Sequence, residues 1–341
     1  MSLEDLAAGV VLLGIIAYAM FGGADFGGGI WTGLASGSRA AQHRQAISRA
    51  MGPVWETNHV WLILIVVALF TAFPPAFADL FTALLVPLVI ALVAIVFRGA
   101  AFAFRHFGYG AEVALPGMAA LFSAASVIAP LTMGVALGAI AGGHIAIRDG
   151  AVTSGIWEPW LQPFSILCGL IAVAICGFLA AYYMTVRTTG EMQEDFRKRG
   201  LLAGLLLGLL AIIALPVAYW DAEPFWDEVA KPSALAVMSA AAVLWLASLV
   251  VVWRRWYVLA PPAAAATVGL IIGGWGAVQY PYLIPPDERI SDLAAGDATL
   301  EPFLIALVVG AVILIPSLAL LYLVFSEKTG DAALEGEGYD Y

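Results

Sequence analysis

The segment that decides the fold of this chain is LAAGVVLLGIIAYAMFGGADFGGGIWTGLA, residues 6–35. It is apolar or small almost throughout and carries one charged side chain, Asp25. The hydrocarbon core of a bilayer is about 30 Å thick, and a helix of ~20 apolar residues crosses it. The segment therefore predicts a membrane-spanning helix with an acid at membrane depth.

The composition of the whole chain agrees with this prediction. Of its 341 residues, 62% are hydrophobic and 12% are charged, and the mean hydropathy is +0.94. Soluble domains are about half apolar and about a quarter charged. A soluble protein is therefore excluded, and the net charge of −10 does not suggest a nucleic-acid partner. No linker or charged domain interrupts the pattern, so residues 1–341 are expected to form a single integral-membrane domain.

Further apolar segments follow along the chain, and together they predict an all-α polytopic membrane protein with about nine transmembrane helices. The first is long enough to break at its glycines. The predicted helices cover about 6–35, 54–73, 79–97, 116–140, 161–184, 200–219, 232–253, 258–278 and 302–325.

The basic residues predict the orientation of these helices. Twelve of the 15 Lys and Arg fall in the loops after helices 1, 3, 5 and 7 and in the C-terminal tail, whereas the other side holds only Arg148, Lys231 and Arg289. Loops rich in Lys and Arg stay in the cytoplasm. We therefore expect the N-terminus outside and the C-terminus in the cytoplasm.

Two acids lie at similar depth near the expected cytoplasmic face, Asp25 in the first helix and Glu56 at the start of the second. His59 shares a helix face with Glu56 at a spacing of three residues. An ionisable group inside a membrane is a functional hypothesis by default, so these three residues are candidates for a proton pathway. A structural alternative stays open, in which Asp25 caps a helix that restarts after the glycines and Glu56 occupies a favourable first turn.

Other polar residues lie close to these acids in the sequence. Trp55 and Asn58 flank Glu56 and would add a donor and an amide nearby. Arg98 ends the predicted third helix, where it either anchors that helix at the interface or pairs with Glu56 or another acid at its depth. We expect these three residues to support the proton pathway.

The sequence offers little for a metal or a haem. It has four histidines, of which only His59 is expected within a helix at membrane depth. Cys168 and Cys176 lie eight residues apart on one helix, too far for a disulfide. This chain is therefore expected to bind no cofactor and no metal directly, and no catalytic residue is predicted in it.

Three pieces of the sequence resemble subunit II of cytochrome bd-type quinol oxidases. They are ADFGGG at residues 24–29, GPVWETNHVWLI at residues 52–63 and FRGAAF at residues 97–102. The likeness is strongest over about residues 8–110. This chain departs from the usual family pattern in having Ala24 before the first acid, Glu56-Thr57 in the second motif and His59 after Asn58, and so resembles a divergent branch.

The resemblance implies a haem-free subunit that stabilises a similarly folded, haem-bearing subunit I. The complex would oxidise quinol and reduce dioxygen to water with cytoplasmic protons, and this subunit would help to deliver them. Haems b and d are expected in the partner, a bound quinone is possible, and small single-helix accessory subunits and membrane lipid are further candidate partners. The expected location is the bacterial inner membrane, in which the chain is multi-pass.

Two other functions stay open from the sequence. Acids at depth and glycine-interrupted helices also suit a proton-coupled secondary transporter. The chain could instead be a purely structural scaffold for a haem subunit.

Overall fold

The structure of the protein is a computed structural model that describes residues 2–51, 55–107 and 117–324. The helices within these ranges, in chain order, are α1 (Leu3–Gly33), α2 (Ala40–Met51), α3 (Trp55–Asn58), α4 (Val60–Ala72), α5 (Pro74–Ala83), α6 (Leu85–Phe107), α7 (Met118–Ala141), α8 (Pro163–Arg187), α9 (Gly190–Asp221), α10 (Glu223–Val229), α11 (Pro232–Trp253), α12 (Ala260–Gln279), α13 (Ile290–Leu293) and α14 (Asp297–Val324). A 3₁₀ helix at Tyr257–Leu259 and two antiparallel hairpins complete the regular structure of these residues; the hairpins are β1 (Ile147–Arg148) with β2 (Ala151–Val152) and β3 (Tyr282–Ile284) with β4 (Glu288–Arg289).

Within the described ranges, eight helices are long and apolar enough to cross a membrane: α1, α6, α7, α8, α9, α11, α12 and α14. This confirms the predicted fold class, an all-α polytopic membrane protein. The orientation and the single-domain organisation stay predictions. We call the end where α1 finishes and α9 begins the basic end of the molecule. The hairpin end is the end that carries the two hairpins.

The first predicted helix does not break at its glycines. α1 runs unbroken over 31 residues from a capping box made by Ser2 and Asp5. Asp25 lies inside this helix, so the alternative in which it caps a restarted helix was wrong. The glycines stay helical because they face neighbouring helices at close range, where each helical backbone group keeps its partner.

The second and third predicted helices differ from the structure in their boundaries. The second is divided at His59 into α3 and α4, and α4 has only 13 residues. Pro74 and Pro75 then start the separate helix α5, because proline suits a first helical turn and interrupts an existing helix. As a result α6 begins at residue 85 instead of 79, and it continues to residue 107 instead of 97.

Two further helices begin earlier than predicted. α9 starts at Gly190 and not near residue 200, so the basic run of residues 197–199 is helical. An ion pair between Arg197 and Glu194, three residues apart, supports this added length. α14 starts at Asp297 instead of residue 302, with the acid in its first turn, where the helix dipole favours a negative charge.

α1 is the central helix of the bundle, since it packs against α7, α8, α4 and α12. α6 packs mainly along α7. One hydrophobic core joins α8, α9 and α12 at the basic end, and a second joins α1, α4 and α5 to the hairpin end. The arrangement surrounds the middle of α1 with protein and leaves α14 exposed along its whole apolar length.

Candidate functional site

The centre of the candidate site is a buried ion pair between α1 and α6. Arg98 Nη2 lies 2.8 Å from Asp25 Oδ1, and the side chains are 2% and 5% exposed. The same nitrogen donates to the backbone carbonyl of Asp25 at 3.2 Å. At a rise of 1.5 Å per residue, Asp25 is about 12 Å from the end of α1 and Arg98 about 13 Å from the end of α6. The two charges therefore meet at matching depth.

The rest of the Arg98 guanidinium is held by α1 and α7. Nε donates to Ser126 Oγ at 3.0 Å, and Ser126 donates in turn to the carbonyl of Phe122. The guanidinium carbon lies 5.0 Å from the centre of the Phe26 ring and 4.9 Å from that of Phe122, which are cation–π distances. The planar guanidinium of arginine can donate hydrogen bonds from several nitrogens while its face packs against aromatic rings, whereas a lysine ammonium does not have this geometry.

Glycines of α1 make this close packing possible. A Cβ added at Gly29 would lie 1.9 Å from Ser126 Oγ, and one added at Gly27 would lie 1.9 Å from the carbonyl oxygen of Cys176. Both distances are shorter than any side chain tolerates. The glycines therefore let α7 and α8 approach the turns of α1 that present Asp25.

The second carboxylate oxygen of Asp25 has a different environment. Oδ2 is buried and finds no hydrogen-bond partner among the residues whose side chains the structure describes. Buried polar atoms are almost always hydrogen-bonded, to protein or to ordered water. Asp25 thus uses one oxygen to hold Arg98, and its other oxygen has no hydrogen-bond donor among the described side chains.

His59 lies beside this centre. Its Nδ1 is 3.4 Å from the hydroxyl of Tyr18, and its ring packs edge-on against Phe26, with centroids 6.2 Å apart. Asn58, the preceding residue, is 3% exposed. We call the residues Tyr18, Asp25, Phe26, His59, Arg98 and Ser126 the Asp25 cluster.

The structure thus brings together three of the six predicted site residues, Asp25, His59 and Arg98, and buries Asn58 next to them. The side chains of Glu56 and Trp55 lie outside the described part of the chain, so their roles stay predictions. Sequence reasoning missed Tyr18 and Ser126. Tyr18 could have been found, because it precedes Asp25 by two helical turns and so shares its helix face. Ser126 stands out only as a polar residue in an apolar segment.

A second polar network lies at the basic end, between α2 and α9. His43 Nε2 is 3.1 Å from Asp195 Oδ2, and His43 Nδ1 is 3.1 Å from Arg199 Nη2. Arg39 also pairs with Asp195 and with Glu191. Burial lowers the pKa of His43, and the Arg199 charge lowers it further, against the opposing effect of Asp195. The imidazole is therefore held neutral, donating to the acid and accepting from the arginine.

The described residues do not fit a haem iron or a metal ion well. Both nitrogens of His43 and of His144 are already engaged, the latter with Ser165 and with the Asp221 carbonyl. His59 Nδ1 faces Tyr18, and the side chain of His106 is not described. In residues 2–51, 55–107 and 117–324 no group of three or more His, Cys, Asp or Glu could hold a metal ion.

The fold and the buried charge pair together define a polytopic membrane protein with a polar centre at membrane depth. The family model of cytochrome bd terminal oxidase subunit II matches residues 3–325. The chain belongs to this family. It is therefore part of an oxidoreductase complex and a multi-pass protein of the bacterial inner membrane.

Individual relatives agree with the family model. The chain is 26% identical to cytochrome bd ubiquinol oxidase subunit 2 of Bacillus subtilis (strain 168), over 96% of this chain and 97% of the relative. It is 28% identical to cytochrome bd-I ubiquinol oxidase subunit 2 of Escherichia coli (strain K12), over 59% of this chain and 52% of that one. A chain in the structure of bd oxidase from Geobacillus thermodenitrificans has the same fold, with a TM-score of 0.81 at 22% identity, covering 95% of this chain and 99% of that one.

Proposed function

We propose that this chain is the haem-free subunit II of a quinol:dioxygen oxidoreductase, and that the Asp25 cluster helps to deliver cytoplasmic protons for the reduction of oxygen to water. Family membership favours the oxidase over the transporter that the sequence left open. The proton-delivery proposal rests on one observation, the buried Asp25 carboxylate. One of its oxygens binds Arg98, and the other has no hydrogen-bond partner among the described side chains.

The physical argument starts from the cost of charge in a membrane. Ionisable residues there are costly and mark proton or ion pathways when they face the protein interior. Arg98 offsets the cost of ionised Asp25, since it supplies a cation and two donors at close range. A carboxylate kept available in this way can take up a proton on its second oxygen and release it again. Glu56, at similar predicted depth, would be the other carboxylate of the same route.

The assignment of haem to the partner rests on the histidines of this chain. His43 and His144 each use both ring nitrogens within the protein, and His59 uses Nδ1. Ligation of a haem iron would require one of these contacts to be given up or a further nitrogen to be exposed. We therefore assign the haems to subunit I, which this chain would stabilise by binding it, and leave the accessory subunits and a bound quinone as proposals of the same kind.

The test is the Asp25→Asn substitution in the purified complex of this chain with its partner. The variant would keep the backbone carbonyl that Arg98 contacts, and Ser126 and the two aromatic faces would remain, so we expect a complex that assembles with lowered thermal stability. The decisive quantity is quinol-dependent oxygen uptake per haem. We expect it to fall about tenfold or more, since a lost proton-transfer group typically costs at least that.

The matched control is Asp292→Asn, the same change at an exposed acid at the hairpin end. It should leave uptake per haem unchanged. Glu56→Gln should resemble Asp25→Asn. If Asp25→Asn and Glu56→Gln both lose haem but the remaining complexes turn over at the normal rate, the two acids have a structural role only and the proton-delivery proposal fails.

A further inference from the structure

Tyr18 is the member of the Asp25 cluster whose hydroxyl contacts His59. Its side chain is buried, with the residue 8% exposed. The hydroxyl lies 3.4 Å from His59 Nδ1, and the two rings are 6.0 Å apart at 45°. Tyr18 therefore meets His59 through its polar end.

Packing against Gly22 and Phe26 of α1 fixes this contact. A Cβ added at Gly22 would lie 2.9 Å from the Tyr18 ring. The absence of a side chain at Gly22 therefore gives the ring its room. Phe26 packs edge-on against Tyr18, with centroids 6.3 Å apart and planes at 83°, and also against His59. The plane of the imidazole is thus set by two aromatic neighbours on α1.

The hydrogen positions follow from the chemistry of the two groups. A phenol hydroxyl carries one proton to donate, and a buried donor left without an acceptor is costly. The acceptor that the structure provides for Tyr18 is His59 Nδ1. If Tyr18 donates there, Nδ1 holds a lone pair and the neutral imidazole carries its proton on Nε2.

We infer that Tyr18 is a positioning residue that holds His59 neutral with its ring proton on Nε2, so that the Asp25 carboxylate carries the proton and His59 does not. A second proton on His59 would have to go to Nδ1. It would then face the Tyr18 hydroxyl donor to donor, and the hydroxyl would need to rotate and lose its acceptor. This inference rests on the proposed function of the cluster and names the role of one further residue in it.

The groups that act on this pair come from several helices. The charges of Asp25 on α1 and Arg98 on α6 reach both His59 and Tyr18, and Cys176 on α8 also faces Tyr18. Glu56 belongs to α3, and its side chain lies outside the described residues. The Tyr18 contact is made to a particular nitrogen of the ring, Nδ1.

The experiment is Tyr18→Phe in the purified complex, with oxygen uptake per haem followed across the pH range on both sides of neutrality. Loss of the hydroxyl frees Nδ1 to bind a proton. We expect uptake to be near normal on the alkaline side and to change about two- to tenfold on the acidic side, through a new inflection below neutral pH. The double variant Tyr18→Phe/His59→Gln should lose this inflection, because glutamine does not titrate.

Tyr182→Phe is the matched control, since Tyr182 is a fully buried tyrosine of a different core and its variant should keep the normal profile. A uniform change in uptake without the inflection would show a merely structural role for Tyr18 and overturn the inference. If Tyr18→Phe behaves normally while Asp25→Asn is slow, the inference fails and the proposed function survives. If Asp25→Asn is normal as well, both fail.

A second measurement does not depend on the folding of Tyr18→Phe. In the normal complex with ¹⁵N-labelled histidine, the His59 signals are identified by their absence from the His59→Gln complex. We expect one unprotonated nitrogen, Nδ1, on both sides of neutrality. A ring protonated on Nδ1 at neutral pH would overturn the inference.

Discussion

Arg98 on α6 binds Asp25 on α1 through both the carboxylate and the backbone carbonyl, although α6 packs mainly along α7. The long Arg98 side chain thus links α6 to α1, two helices that are far apart in sequence. This ion pair is buried within the apolar helix bundle. Its energetic consequence is asymmetric, since a buried pair adds little net stability while a single unpaired charge is costly.

Arg98→Gln should therefore prevent assembly of the complex. It leaves the Asp25 carboxylate buried without a cation, which costs about 3–5 kcal/mol. Haem content of the purified complex measures the effect. The double variant Asp25→Asn/Arg98→Gln should recover much of the haem, because no charge remains; recovery no better than in the single variant would mean that the guanidinium acts by shape alone.

Ser126→Ala should weaken the same centre by a smaller amount. Arg98 Nε loses its acceptor at 3.0 Å, and a buried donor without an acceptor costs about 1–3 kcal/mol. We expect a lower melting temperature of the complex. Ser317→Ala is the control, because Ser317 is an exposed serine bonded only to its own helix; an equal loss there would contradict the assignment.

Gly27→Ala should disrupt the contact of α1 with α8. The added Cβ would meet the Cys176 carbonyl at 1.9 Å, and backbone cannot move aside as a flexible side chain can. Overpacking of this kind costs about 1–3 kcal/mol or more. Gly9→Ala on the same helix has no atom within 4 Å of the new Cβ and should leave the melting temperature unchanged or slightly higher; equal behaviour of the two variants would argue against close packing at Gly27.

The contact of α2 with α9 should weaken at acidic pH. The pKa of His43 is lowered in the folded protein. His43 therefore binds a proton more tightly when α2 has separated from α9. Stability is therefore complete above the ordinary histidine value of about 6.5 and declines as the pH falls through it, until the pH is below the lowered folded value. His43→Gln can keep both hydrogen bonds without titrating.

The measurement for this prediction is the melting temperature of the complex on either side of the ordinary histidine pKa, about 6.5. The difference between the two conditions should be smaller in His43→Gln than in the unaltered complex. An unchanged difference would place the pH sensitivity elsewhere.

Individual elements explain why prediction succeeded in some places and failed in others. The membrane class and the depth of Asp25 followed from local composition, because about twenty apolar residues in succession have few alternatives. The glycines of α1 were ambiguous, since a glycine can break an isolated helix or serve as a contact. The neighbouring helices α7 and α8 resolved this, and they are absent from any local pattern. The early start of α9 depended likewise on ion pairs that hydropathy does not register.

The sequence by itself determined the membrane fold class, the family and the presence of one acid, Asp25, within the first membrane-spanning helix, because these depend on hydropathy and on short contiguous motifs. The tertiary structure decided which groups meet. Arg98 reaches Asp25, Ser126 and two phenylalanines lie around its guanidinium, and Tyr18 reaches His59. Such contacts join residues tens of positions apart, and their geometry is fixed by how closely the helices pack, which depends on all the side chains at an interface at once.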